Sequence, residues 1–399
     1  MSRTPSEKGA VKARRERVFS IDLVRATATI LIVITHFNNP FFSQGGYLLA
    51  NRPFGVYIGD LGVSLFLIIS GTVLALNYRQ PIDVKSFYWK RFKGIYPMFW
   101  TAWVLGTLYF FIDSKGHPLN AAPVKSLIWT LLGIDGLVAN FHLTTAYLLG
   151  EWFLGFIIIF YLVFPLLSWA IERFPKTTAL IIAALYLGSI FGLGAATDVP
   201  MSVILTTRLP ELAFGMYLVR FSASIRPHMA IPTALVLLAF EALDRFGASG
   251  AAALVNHAAF KDLSTTIVGL AAYVFLIAIA DFVSIRPLRA LVALIAKYSY
   301  PIFLVHHVII YKLFTMSSID WMSFNRVQVV TFFFAICALV FALAVALDAV
   351  TKRIIVFTSA AFEGEWWRPA IFSLPKVDSP SQAQDARPSA DARSHANER

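Results

Sequence analysis

IDLVRATATILIVITHFNNP, residues 21–40, is the first long apolar run of the chain, and Asp22, Arg25 and His36 lie inside it. About twenty residues of α-helix rise about 30 Å, the thickness of the hydrocarbon core of a bilayer. Ionisable groups in such a run are expensive, so they usually serve a site, a pathway or a buried pair. Eleven residues separate Arg25 from His36. On a helix that spacing turns about 20° past three full turns and rises about 16 Å, so the two side chains share one stripe. A cation near the membrane surface and an imidazole deeper on the same stripe suggest a membrane-embedded catalytic groove.

The rest of the chain supports a membrane setting. Of 399 residues, 58% are hydrophobic and 14% charged, with a mean hydropathy of +0.68. Soluble domains carry about 25% charged residues. The net charge of +11 does not point to nucleic acid, because the Lys and Arg collect in short segments between apolar runs. That placement is the positive-inside signature. The single cysteine, Cys337, excludes an intrachain disulfide and a cysteine-based metal cluster. It reads as a small buried hydrophobe, since a desolvated thiol stays protonated. Arg14, Arg15 and Arg17 before an apolar run resemble a signal peptide. The run continues without an obvious small-residue cleavage site, so it reads as a retained span.

The apolar runs predict an all-α, polytopic transmembrane helix bundle of about ten spans. They fall near 21–40, 58–77, 95–111, 146–170, 178–196, 203–219, 230–246, 264–282, 298–316 and 327–350. The patch 127–138 is too short to span and reads as re-entrant or interfacial. With a cytoplasmic N-terminus, the inside segments carry Arg14, Arg15 and Arg17; Arg79, Lys85, Lys90, Arg91 and Lys93; Arg173 and Lys176; Arg220 and Arg226; Arg286, Arg289 and Lys297; Lys352 and Arg353. The outside segments carry only Arg52, Lys115, Lys125, Arg245, Lys261 and Arg326. This asymmetry places both termini in the cytoplasm. Residues 1–18 form a basic cytoplasmic segment, 19–353 the transmembrane domain and 354–374 an interfacial segment anchored by Trp366, Trp367 and Arg368. Residues 375–399, rich in Ser, Pro, Ala, Asp and Gln, read as a disordered cytoplasmic tail.

His36 is the best candidate for a general base, since neutral imidazole titrates near pH 6.5 and can take a hydroxyl proton. Its bland alternative is a hydrogen bond to a neighbouring helix. Arg25, one turn after Asp22, either snorkels to the interface or holds a phosphate or carboxylate. Lys90, Arg91 and Lys93 are either ordinary positive-inside charge or, if Arg25 faces them, part of a polyphosphate site. Glu151 and Trp152 lie near the outer end of the fourth span, where the carboxylate either positions His36 or pairs with a cation, or the segment anchors the surface. Arg208 and Glu211, three residues apart, most simply form a helical ion pair. His306 and His307 point about 100° apart, so one faces the groove and the other packs. No sequence pattern for metal ligation, a nucleophile elbow or a phosphate-binding glycine loop is present, and no metal is expected.

Taken together, these segments resemble the acyltransferase-3 family of integral membrane acyltransferases, over about residues 19–312. Asp22 and Arg25 followed by Thr35-His36 resemble its opening D-x-x-R…H stretch. Gly62 to Phe66 with Ser70-Gly71 resembles its second-span pattern, and Phe87 through Tyr96-Pro97 its basic motif ending in I-Y-P. Glu151-Trp152-Phe153-Leu154 through Tyr161 and Pro165 resembles W-x-L…F-Y…P. Arg208-Leu209-Pro210-Glu211 with Phe214-Gly215 resembles R-x-x-E…F-x-G, and Ser299 to His306 resembles S-Y-x-I-Y-L-x-H. The resemblance implies transfer of an acyl group, most often acetyl, from cytoplasmic acyl-CoA to a hydroxyl of a carbohydrate. Arg25 and His36 match its essential arginine and histidine, and Arg91 its basic motif.

Three departures narrow the type. Gly94 stands where many members have a second arginine, Ser64 replaces a common Asp, and Ile157 replaces a Glu frequent in the peptidoglycan and lipopolysaccharide subgroup. With no fused hydrolase-like domain expected, the resemblance points to a stand-alone O-acetyltransferase of exopolysaccharide, capsule or glycolipid in the bacterial cytoplasmic (inner) membrane. No permanently bound cofactor is expected; acetyl-CoA or another acyl-CoA is the co-substrate. The implied partners are the glycan or glycolipid acceptor, membrane lipid and polysaccharide-assembly proteins, with no nucleic acid. On this reading Arg25, Lys90, Arg91 and Lys93 hold the CoA phosphates, and His36 either deprotonates the acceptor or carries the acyl group itself. The rival class is a transporter of a glycan or lipid without covalent chemistry. Paired Gly/Pro-broken helices in matching halves, frequent in transporters, are not evident.

Overall fold

A computed structural model describes residues 5–42, 51–116, 122–146, 148–149, 152–246, 258–316 and 320–361. Glu151, the interfacial Trp366, Trp367 and Arg368, and the tail from residue 375 lie outside the described residues. Every long element among the described residues is an α-helix: α1 (Pro5–Phe42), α2 (Ile58–Asn77), α3 (Val84–Asp113), the short α4 (Leu127–Leu132) and α5 (Asp135–Ala139), α6 (Trp152–Arg173), α7 (Pro175–Phe191), α8 (Leu205–Arg220), α9 (Ala230–Phe246), α10 (Ala258–Ile279), α11 (Arg286–Phe314) and α12 (Arg326–Ala361). Helices dominate because hydrocarbon offers no partner for exposed backbone N–H and C=O groups, and a helix satisfies them within itself.

Seven of these helices are long and apolar enough to cross a membrane: Phe19–Phe41, Ile58–Asn77, Val84–Asp113, Trp152–Arg173, Phe260–Ile279, Arg286–Phe314 and Arg326–Ser359. The runs expected at 178–196, 203–219 and 230–246 fall on α7, α8 and α9, which have 17, 16 and 17 residues. Several helices outrun their apolar cores. The third expected span begins at residue 95, whereas α3 starts at Val84, where Asp83 accepts a hydrogen bond from the Ser86 N–H as an N-cap. The patch 127–138 is two short helices rather than one, broken at Gly133 with a φ of 70°. The Tyr96 hydroxyl and the Trp100 indole N–H of α3 cap the freed carbonyls of Leu132 (2.8 Å) and Leu131 (3.3 Å).

Helix α1 is the organising element. Val24 and Ala28 pack with Leu65 and Ile68 of α2 and Val268 and Tyr273 of α10. Val33, Ile34 and Phe37 pack with Ile302, Ile310 and Phe314 of α11 and with Phe333 and Ile336 of α12. The charged stripe of α1 thus faces the seam between two halves of the bundle. Side chains such as Leu162 and Leu166 of α6 and Leu235 and Leu238 of α9 are exposed, as a lipid-facing belt requires.

Helices in lipid gain little from apolar burial, so close backbone approach by small residues matters more. The α2–α8 contact depends on it. A Cβ added to Gly71 would collide with the Leu212 carbonyl, and one added to Gly215 with the Ile68 carbonyl. A Gly71→Ala change is expected to lower stability by about 1–3 kcal/mol through overpacking. Gly188→Ala, whose Cβ meets nothing within 4 Å, is the control. Thermal unfolding of both variants in one detergent checks this; equal midpoints would show that α2 and α8 do not depend on that approach.

Candidate active site

His36 of α1 lies against two imidazoles of α11. Its ring centroid is 4.9 Å from that of His306, at 68°, and 4.8 Å from that of His307, at 87°. The sequence reading gives one of the two histidines to the groove and the other to packing; both rings lie beside His36. Their rings diverge, with centroids 6.5 Å apart, and His36 enters the space between them. A side chain from a crossing helix reaches both directions at once, which the angle between neighbours on one helix does not reveal. His306 is fully buried, and its Nδ1 is 2.9 Å from the Phe303 carbonyl and 3.1 Å from that of Ile302. Carbonyls only accept, so Nδ1 is the donor in both contacts.

The second pole is cationic. Arg25 is half-buried and 3.7 Å from Asp22. On the facing helices, Tyr161 of α6 lies in the electrostatic field of both Arg25 and Arg91 of α3, and the Arg91 guanidinium hydrogen-bonds its hydroxyl. Arg91 also donates to the Tyr78 hydroxyl at 3.1 Å and lies over the rings of Tyr78, Phe87 and Tyr161 at 5.5, 5.9 and 5.7 Å. Its Nε is buried with no acceptor among the described residues. An arginine caged by aromatic faces, with a donor left over, is suited to an incoming anion.

The three cations of the basic motif do not converge. Lys90 is exposed, with Nζ 5.9 Å from the Tyr78 ring, on the Arg91 side. Lys93 instead lies over Trp89 at 5.4 Å, because two residues turn a helix by about 200°. Trp152 packs edge-on to Phe156.

The poles are joined by an aromatic wall. Tyr300 lies in the field of Tyr161 and its hydroxyl donates to the Ile95 carbonyl at 3.0 Å. One turn on, Phe303 meets Phe153 at 5.8 Å and His306 at 6.2 Å. Residue spacing alone did not single out Tyr78, Tyr161 or Tyr300 for the site. Their signal was present only as aromatic letters within longer motifs, where interfacial packing explains them equally well.

Arg208 and Glu211 form the expected pair, at 3.1 Å, within a wider network. Arg208 also reaches Asp60 at 3.4 Å and the Ser202 carbonyl at 3.4 Å, and the Ser64 hydroxyl donates to Glu211 at 2.5 Å. These contacts tie α2 to α8 and make the pair a structural clasp. Ile157 is buried in the core shared by α2, α6 and α8, where an apolar side chain fits.

A helical membrane bundle that places an imidazole cluster, an aromatic-caged Arg91 and Arg25 along one seam is laid out for group transfer. A family model described as "Acyltransferase domain" (Acyl_transf_3) matches residues 18–349, and the chain belongs to that family. The Acyltransferase MdmB of Streptomyces mycarofaciens is 25% identical over 118 residues. That match spans 30% of this chain and 30% of MdmB. No solved structure matches.

Proposed function

We propose that the chain is an O-acyltransferase, specifically an O-acetyltransferase. It would move the acyl group of acetyl-CoA onto a hydroxyl of a cell-surface glycan or exopolysaccharide, or of its lipid-linked precursor, at the bacterial inner membrane. The carrying observation is the spacing of two poles on one seam: Arg25, Arg91 and Tyr161 at one end and His36, His306 and His307 at the other, about 16 Å apart along α1. Coenzyme A has the same layout, with phosphates and thioester at opposite ends of a flexible arm. The arginines hold the phosphates by charge-assisted hydrogen bonds. His36 takes the proton of the acceptor hydroxyl as its oxygen attacks the thioester carbonyl. On this reading the arginine pole opens to the cytoplasm, both termini are cytoplasmic, and the three shorter helices α7, α8 and α9 complete a ten-span bundle. Lys90 and Lys93 add positive potential at the mouth, and polysaccharide-assembly proteins would deliver the acceptor. Membership of an acyltransferase family favours this reading over a transporter.

Purified protein incubated with acetyl-CoA and candidate glycans should release the free CoA thiol and yield an ester-bearing glycan, read by absorbance and by mass spectrometry. Glycan accumulation across vesicles without thiol release would overturn the proposal. Arg91→Ala and Arg25→Ala are each expected to raise the KM for acetyl-CoA by about 10-fold or more, the loss of a hydrogen bond to a charged group of about 1.5–3 kcal/mol. An unchanged KM in both variants would remove the phosphate site.

A further inference from the structure

One buried donor on the groove wall has no partner. The indole Nε1 of Trp103, on α3, is buried and finds no acceptor among the described residues. Its ring packs in the cluster that contains Phe99, Leu149, Leu154, Leu304, Phe303 and Val308, all of them hydrocarbon or arene. A buried N–H without an acceptor is costly, and the described residues supply none within hydrogen-bond reach. A ligand in the bundle can supply the acceptor.

The depth of Trp103 says which part of the ligand. Two contacts set the register of α3 against α11: the Tyr300 hydroxyl with the Ile95 carbonyl at 3.0 Å, and Lys312 with Asp113 at 2.6 Å. Trp103 lies about 12 Å beyond Ile95 along α3, and His307 about 10 Å beyond Tyr300 along α11. Trp103 is thus level with the stretch from Phe303 to His307, where the rings converge on His36, and well beyond the arginine pole.

We infer that the Trp103 N–H is a catalytic donor to the thioester carbonyl oxygen. This rests on the acyltransferase mechanism proposed above. As the acceptor oxygen bonds to the acyl carbon, the carbonyl π pair moves to its oxygen, and the indole N–H donates to the resulting oxyanion. The intermediate then collapses and the C–S bond breaks. The thiolate leaves with that electron pair and takes the proton His36 had removed from the hydroxyl. The N–H serves the transition state more than the ground state, because charge on the oxygen appears only during the reaction.

Two variants test this in the full-length protein with acetyl-CoA. Trp103→Phe removes the donor, and replacing Trp103 by benzothienylalanine swaps the N–H for sulfur while keeping the bicyclic shape. Both are expected to lower kcat by about 10²-fold, with the KM for acetyl-CoA within about 3-fold of wild type and an unchanged thermal midpoint. Wild-type kcat in the sulfur variant with loss only in Trp103→Phe would show that the ring merely packs, and overturn the inference. A raised KM with normal kcat would also overturn it, assigning the N–H to an amide of the arm. Failure of the unmodified protein to release CoA would instead refute the acyltransferase mechanism, and this inference with it.

Discussion

Replacing His36 with alanine is expected to reduce acyl transfer by at least about 10²-fold, the usual contribution of a positioned general base. The neighbouring imidazoles do not replace it. Both His306 and His307 approach from α11 rather than from the stripe that carries Arg25. Folding should survive, because the packing role at this turn of α1 belongs to Phe37, which is fully buried among Phe41, Phe314 and Phe333. The measurement is the CoA thiol release rate of purified His36→Ala beside its thermal midpoint. A variant with the wild-type midpoint and the wild-type rate would exclude His36 from the chemistry. Incubating wild-type protein with labelled acetyl-CoA and no acceptor asks whether the imidazole also carries the acyl group; label retained on His36 marks an acyl-enzyme.

The largest stability effect should come from Arg208, which the acyl-transfer steps do not use. The Arg208 and Glu211 side chains are 4% and 0% exposed. Arg208→Met would leave the Glu211 carboxyl in the α2–α8 interface without its cation, hydrogen-bonded to the Ser64 hydroxyl. Removing one member of a buried pair costs about 3–5 kcal/mol, most of it the penalty of the abandoned charge. The double change Arg208→Met with Glu211→Leu should recover much of that loss, because an apolar replacement of the whole pair is often close to neutral. Asp60, 22% exposed, remains partly hydrated and does not repeat the penalty. Denaturation of the wild type, both single variants and the double variant gives the coupling energy. A single variant within 1 kcal/mol of wild type would refute the clasp.

Much of the fold follows from local composition. Each apolar run of sufficient length falls on a helix, because hydrocarbon leaves the backbone one way to satisfy itself. That 127–138 is too short to span was legible from its length, whereas its break at Gly133 was not. Helix ends were less so, since α3 and α11 continue past their apolar cores into amphipathic turns that hydropathy does not mark. The site was legible where its parts share one helix. The Arg25–His36 stripe follows from helical pitch, and the Arg208–Glu211 pair from a three-residue spacing.

What the chain determined by itself, then, is a helical membrane protein with a cation and an imidazole on one face of its first span. Pitch and hydropathy are properties of a single segment. Only the tertiary structure decided what those groups meet. His36 lies against both His306 and His307, Tyr161 lies in the field of both Arg25 and Arg91, and Glu211 is clasped to α2 through Ser64. Each of these joins helices far apart in the chain. Helix crossing and register are set by close packing of small residues such as Gly71 and Gly215 against a neighbouring backbone, and no periodicity within one segment encodes them.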